Sequence, residues 1–129
     1  MAIKSKKNKK VIKKRLSQAI VFIQASFNNT LVSISDLIGN VVASSSSGKL
    51  HFTGTRKATP HAASLVMQDV IEKIKDMGVH DVQIRTNGVG MGRESALRAL
   101  ASTSINIISI EDVTPIPHNG PRPPKPRRV

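Results

Sequence analysis

A chain of 129 residues with no cysteine and only three aromatic residues (Phe22, Phe27, Phe52) suffices for one modest core. It excludes disulfides, thiolate catalysis, thiolate metal sites and an aromatic platform for stacking unpaired bases. The formal net charge of +12 sits wholly at the two ends, because the stretch from Leu16 to Asp112 balances eight Lys or Arg against eight Asp or Glu.

The first fifteen residues hold Lys4, Lys6, Lys7, Lys9, Lys10, Lys13, Lys14 and Arg15 and no acid. Like charges at that density repel one another and stay extended until a polyanion supplies counter-charge, so residues 1–18 are expected to form a basic arm. No apolar h-region or small-residue cleavage site follows, and one arginine is too few for a transit peptide. With no apolar run near the ~18 residues of a membrane span, the chain is expected to be soluble, intracellular or organellar, and without a membrane partner.

Residues 19–112 are expected to form an α/β body. Ala19–Phe27, β-branched and aromatic, suggests a buried strand. Asn28-Asn29 marks a turn, since Asn tolerates positive φ. Thr30–Ser35 alternates, with Leu31 expected against the core and Val32 and Ile34 as further candidates. Asp36–Asn40 makes a second turn and Val41–Ala43 a third strand. Ser44–Lys57 breaks the pattern with four serines, two glycines and the cations Lys49, Arg56 and Lys57; the clustered charge favours a folded phosphate contact over disorder.

A helix follows, capped by Thr59, opened by Pro60 and stopped by Gly78. Ala63, Val66, Met67, Val70, Ile71, Ile74 and Met77 share its inward face, with Gln68, Asp69, Glu72, Lys73, Lys75 and Asp76 opposite. Asp81–Thr86 alternates as a fourth strand around Val82 and Ile84. Asn87–Arg93 is a glycine-rich turn into a second helix whose Ala96, Leu97, Ala99 and Leu100 face inward, and Ile105–Ile110 is a fifth strand. The order β-β-β-α-β-α-β implies a mixed five-stranded sheet with two helices, antiparallel at its start and parallel at its end. Six of the seven prolines fall in residues 113–129, with Arg122, Lys125, Arg127 and Arg128 and no acid, implying a second, semi-rigid basic arm.

The turn at Gly88, Gly90 and Gly92 leads from a strand to a helix start, an arrangement that presents N–H groups to an anion, with Arg93 and Arg98 on the first turns. Three readings compete for it: an RNA phosphate contact, plain turn chemistry, and a nucleotide cofactor. For the last, a Rossmann fingerprint needs glycine where Arg93 stands, although Glu111 is suggestively placed, and no Walker string exists. Catalysis has little support. His51, His61, His80 and His118 have no zinc spacing, and Ser26, Ser64 and Ser95 lack a nucleophile elbow. The element order resembles ribonuclease H-like enzymes, but those need a metal-holding carboxylate on the first strand, where Ala19–Phe27 has none. No enzyme activity and no cofactor are expected. The charge pattern points to a nucleic-acid partner, with structured RNA favoured over unpaired segments.

Several strings together resemble the small-subunit ribosomal protein eleven family, in its bacterial or organellar type. They are Gln24–Thr30; Gly54–Lys57 with Thr59-Pro60 and Ala62-Ala63; Gly90–Glu94 with Arg98–Leu100; and Asp112–Gly120 with Arg122–Pro124 and Arg127–Val129. The resemblance covers Ala19 to the C-terminus, and its last string is the most specific. It implies a ribonuclease H-like fold without activity, bound to the central domain and 3′ end of small-subunit rRNA. The implied place is the platform near the mRNA exit, beside small-subunit proteins six, seven, eighteen and twenty-one, with no homo-oligomer. By motif match the RNA-contacting elements would be Gly54–Lys57, Gly88–Arg93 and the tail with His118, Asn119, Gly120, Arg122, Lys125, Arg127 and Arg128. Asn28 and Asn29, Lys49, Arg98 and the N-terminal cations complete the candidate set. The chain departs from the family where Thr86–Glu94 replaces K-G-P-G-x-G-R-E, where His51–Gly54 replaces G-F-R-G, and where Pro121 and Pro126 replace a cysteine and a basic residue. A free-standing DNA-compacting protein is the alternative, and a metal-dependent nuclease a distant third.

Overall fold

A computed structural model describes residues 17–125. Its elements are β1 (Gln18–Ala25), β2 (Thr30–Ser35), β3 (Val41–Ser46), α1 (Pro60–Met77), β4 (Asp81–Asn87), α2 (Gly92–Ala101) and β5 (Asn106–Asp112). The sheet order is β3-β2-β1-β4-β5. The β1/β2 and β2/β3 pairs are antiparallel, and the β1/β4 and β4/β5 pairs are parallel. This is the mixed, ribonuclease H-like order that the succession of elements implied.

The inward rows of the sheet are Ala19, Val21 and Ile23 of β1, Val32 and Ile34 of β2, and Val82 and Ile84 of β4. They meet Val66, Met67, Val70 and Ile74 of α1 and Ala96 and Leu100 of α2 in a single core. Both helices pack on this one face and on each other, so the opposite face has no helix over it. Each fully buried Val, Leu, Ile or Met side chain contributes about 1.5–3 kcal/mol relative to exposure.

Helix α1 is held at both ends as its sequence dictates. Thr59 accepts a hydrogen bond from the Ala62 N–H at 3.2 Å. Gly78 adopts a left-handed φ of 75° and donates its N–H to the Ile74 and Lys75 carbonyls. Every residue expected on its inward face is buried, and Ala62 joins them.

Other local expectations change. Strand β1 stops at Ala25, leaving Phe27 77% exposed in the turn. Leu31 is 43% exposed and points away from the helices, because pairing Val32 with Ile23 and Ile34 with Val21 puts those two inward and rotates Leu31 out. Neither Asn28 nor Asn29 has positive φ. Their turn is built on Ser26, whose hydroxyl accepts the Asn28 and Asn29 N–H groups at 3.3 and 3.1 Å. Strand β3 runs on to Ser46, and Gly54–Ala58 forms a 3-10 turn, so the serine-rich segment is ordered structure. From Val113 to Lys125 there is neither helix nor strand, and all but Thr114 are exposed.

Candidate nucleic-acid interface

Strands β1, β3, β4 and β5 all run in one direction, and only β2 opposes them. Four segments therefore leave the sheet at the same end: the β1–β2 turn, the loop from Ser47 to Thr59, the glycine turn, and the chain after β5. These segments hold most of the described candidate residues. Hydrogen bonds tie them to one another. The Ser47 N–H donates to the Thr30 carbonyl at 3.1 Å, and the Gly90 N–H to the Ala25 carbonyl at 2.9 Å. The Val113 N–H donates to the Thr86 carbonyl at 2.8 Å.

The Ser47–Thr59 loop is anchored from within. Buried Ser47 donates its hydroxyl to the Lys57 carbonyl at 2.8 Å, and Phe52 meets the His61 ring edge-on at 6.3 Å. This fixes the backbone and leaves the Arg56 and Lys57 side chains without an ion pair among the described residues. Lys49 reaches back to the Ser44 carbonyl at 3.4 Å. Gly54 has a φ of 59° and open space around it.

The glycine turn has an internal reason for its composition. A Cβ on Gly88 would lie 2.1 Å from the Ala25 carbonyl oxygen, and one on Gly90 would lie 2.3 Å from that of Ser26. At Gly92 the nearest atom would be Thr30 Oγ1, at 2.5 Å. The turn is thus pressed against the β1–β2 turn. Its N–H groups are partly spent within the protein: Gly90 donates to the Ala25 carbonyl, and Gly88 donates to Thr114 Oγ1 of the tail at 3.1 Å. The first turn of α2 has no side-chain cap, which leaves N–H groups at its start for an anion, although Glu94 also stands in that turn.

Arg93 is engaged internally. It donates to the Gly88 carbonyl at 2.8 Å and to Asp112 Oδ2 at 3.1 Å. Asp112 Oδ1 in turn accepts the Thr114 hydroxyl at 2.6 Å and the Thr114 N–H at 3.0 Å. The bonds from Thr114, with help from Arg93, hold the Asp112 carboxyl below its ordinary range. Gly88, Arg93, Asp112 and Thr114 therefore close a ring that fastens the glycine turn to the root of the tail. Asp112 and Thr114 stand in one of the family strings, but the sequence gives no sign of this role, because their partners lie up to 26 residues away. Arg98 differs: its side chain is 83% exposed, with only a 3.8 Å contact to Glu94.

Asn28 is exposed, whereas Asn29 is half-buried and its side-chain oxygen accepts the Thr30 N–H at 2.8 Å. His118, Asn119, Gly120, Arg122 and Lys125 are exposed along the tail, where Asn119 takes a positive φ of 60°. Lys6, Lys7, Lys9, Lys10, Lys13, Lys14, Arg15, Arg127 and Arg128 lie outside the described residues. Arg85, a cation with no signal in the sequence, lies over Phe22 at 5.8 Å and pairs with Glu111 at 3.4 Å. Only the strand register reveals those neighbours. Among the described residues no three His, Asp or Glu side chains gather as metal ligands, and no helix is long and apolar enough to cross a membrane.

The family model for ribosomal protein S11 matches residues 19–128. Three bacterial proteins, each called small ribosomal subunit protein uS11, are similar over nearly their whole length. That of Borreliella burgdorferi is 46% identical over 125 residues, covering 97% of this chain and 96% of the relative. That of Desulfotalea psychrophila is 50% identical over 121 residues, covering 94% and 96%. That of Aquifex aeolicus is 49% identical over 123 residues, covering 95% and 98%. With the match spanning the core, the interlocked loop end and the tail, the chain belongs to the ribosomal protein S11 family.

Proposed function

We infer that this protein is a structural constituent of the small ribosomal subunit, held there by contacts of its loop end and basic arms with folded small-subunit rRNA. The observation that carries the reading is the gathering of Arg56, Lys57, the start of α2 and the root of the tail at one end of the sheet. Membership of a non-enzymatic ribosomal family supports it. In this reading residues 1–18 and 113–129 act as arms on a body of residues 19–112. Phosphates meet the exposed cations, while the glycine turn acts mainly as the rigid floor beneath them. The few aromatic side chains fit recognition by shape and backbone over base stacking.

The finer placement follows from the resemblance: the platform near the mRNA exit, with small-subunit proteins six, seven, eighteen and twenty-one as neighbours, in a bacterial or organellar ribosome. Family membership does not favour the DNA-compacting alternative. The test is sedimentation of a cell lysate joined to a binding competition. The protein should travel with small-subunit particles and prefer an rRNA transcript over duplex DNA at matched salt. A protein found mainly in the soluble fraction, or indifferent to the two nucleic acids, would contradict the reading.

A further inference from the structure

The sheet face away from the helices carries an open hollow of about 290 Å³ lined chiefly by Gln24, Leu31, Ser33, Ser44, Ser46 and Lys49. Strand register creates it. Ser33 stands opposite Ser44, Leu31 opposite Ser46, and Gln24 beside Leu31 on the next strand, so short polar side chains cluster on one patch. The Ser33 and Ser44 hydroxyls and the Gln24 amide make no hydrogen bond among the described residues. Ser46 Oγ accepts only the Lys49 N–H, at 3.1 Å.

The rim of the hollow is cationic. At the free edge of β3 the Ser44 carbonyl accepts from two ammonium groups, Lys73 of α1 at 2.8 Å and Lys49 at 3.4 Å. One carboxylate stands nearby, Asp69, at 3.4 Å from Lys73. The proximity of Lys73 lowers the pKa of Lys49 from its ordinary value, as expected of two cations sharing too little counter-charge.

We propose that this hollow and its two-lysine rim bind the sugar–phosphate backbone of RNA. A phosphate lies between Lys49 and Lys73, and the adjoining ribose hydroxyl meets Ser33, Ser44 and Gln24. The proposal rests on the rRNA-binding reading above and adds to it a second contact surface on a different face. The chemistry favours RNA over a protein partner: hydroxyls and an amide without partners, set beside surplus positive charge, suit a phosphate and its ribose. The hydroxyl cluster gives the site a means of recognising the 2′-hydroxyl.

The test uses the full chain and a complete small-subunit rRNA transcript, with binding measured across a range of salt. Lys73→Gln should weaken binding by roughly three- to tenfold and reduce the slope of log K against log salt by about 0.7–0.9, the share of a single phosphate. Ser44→Val, which suits a strand, should weaken binding about two- to fivefold with the slope unchanged, since no charge is removed. Wild-type binding and slope in both variants, where the wild type itself binds, would overturn the hollow alone. Failure of the wild type to bind would overturn the rRNA reading and the hollow with it. Should either variant lose its fold by thermal unfolding, a photoreactive residue at exposed Leu31 of the otherwise intact chain decides the matter in assembled particles. A cross-link to rRNA is expected; a cross-link to protein only, or none, would overturn the proposal.

Discussion

Gly90 and Arg93 stand three residues apart in a motif that looks made for an anion, yet most of their contacts face the protein. Adding a methyl to Gly90 places it 2.3 Å from the Ser26 carbonyl oxygen, so backbone must shift to admit it. Gly90→Ala should therefore destabilise the fold by about 1–3 kcal/mol, the range for overpacking. Gly54→Ala has open space around it and should cost only the left-handed backbone penalty, about 1–2 kcal/mol. Arg93→Ala should lower the unfolding temperature, because it breaks the bonds to Gly88 and Asp112. Arg98→Ala should leave that temperature unchanged and weaken rRNA binding. Thermal unfolding and binding of the same four variants check this division; an Arg93→Ala protein of full stability that no longer binds would reassign Arg93 to the RNA. The glycine-rich string was legible as a turn in the sequence, but its purpose was not. Ala25, Ser26 and Thr114 set that purpose, and none of them is a neighbour along the chain.

At the scale of elements, the β2–β3 hairpin at the opposite end of the sheet shows a carboxylate used for folding. Asp36 Oδ1 accepts the N–H groups of Asn40, Gly39 and Ile38 at 2.9–3.0 Å. The Asn40 bond foremost, with those of Gly39 and Ile38, outweighs the effect of burial and lowers its pKa from 3.8 to about 2. A carboxyl whose folded pKa is depressed stabilises the fold fully above its unfolded pKa. It loses that contribution as pH falls through the folded value. The stability difference between wild type and Asp36→Ala should thus be constant above about pH 5, shrink between pH 4 and 2, and reach its smallest value below. A difference independent of pH in chemical denaturation would show that the turn does not depend on the charge. Legibility varies among the elements for physical reasons. Helix α1 declared itself, since its cap, its proline, its terminal glycine and its apolar period are local. In β2 two apolar residues in succession, Leu31 and Val32, give no sign of which faces the core, and the choice is made by pairing with β1.

Across the whole molecule, the shared direction of β1 and β5 puts the root of the N-terminal arm and the root of the C-terminal arm at opposite ends of the sheet. The chain enters the sheet beside Ser17, whose carbonyl accepts the His80 and Asp81 N–H groups, and leaves it beyond Asp112 at the other end. A strand of eight residues such as β1 spans about 26 Å, well beyond the ~8 Å screening length at physiological salt. The eight cations of residues 1–15 and the four of the C-terminal arm should therefore engage phosphates independently. Deleting residues 1–15 or residues 118–129 should each lower the slope of log K against log salt by about 0.7–0.9 for every phosphate that the missing arm neutralised, and the double deletion should lower it by the sum. The body should keep its unfolding temperature in all three, because the ring of Gly88, Arg93, Asp112 and Thr114 lies inside both cuts. A double deletion no flatter than one of the single deletions would mean that the two arms share the same phosphates. A slope unchanged in every deletion would move the electrostatic contact from the arms to the loop end and the sheet face.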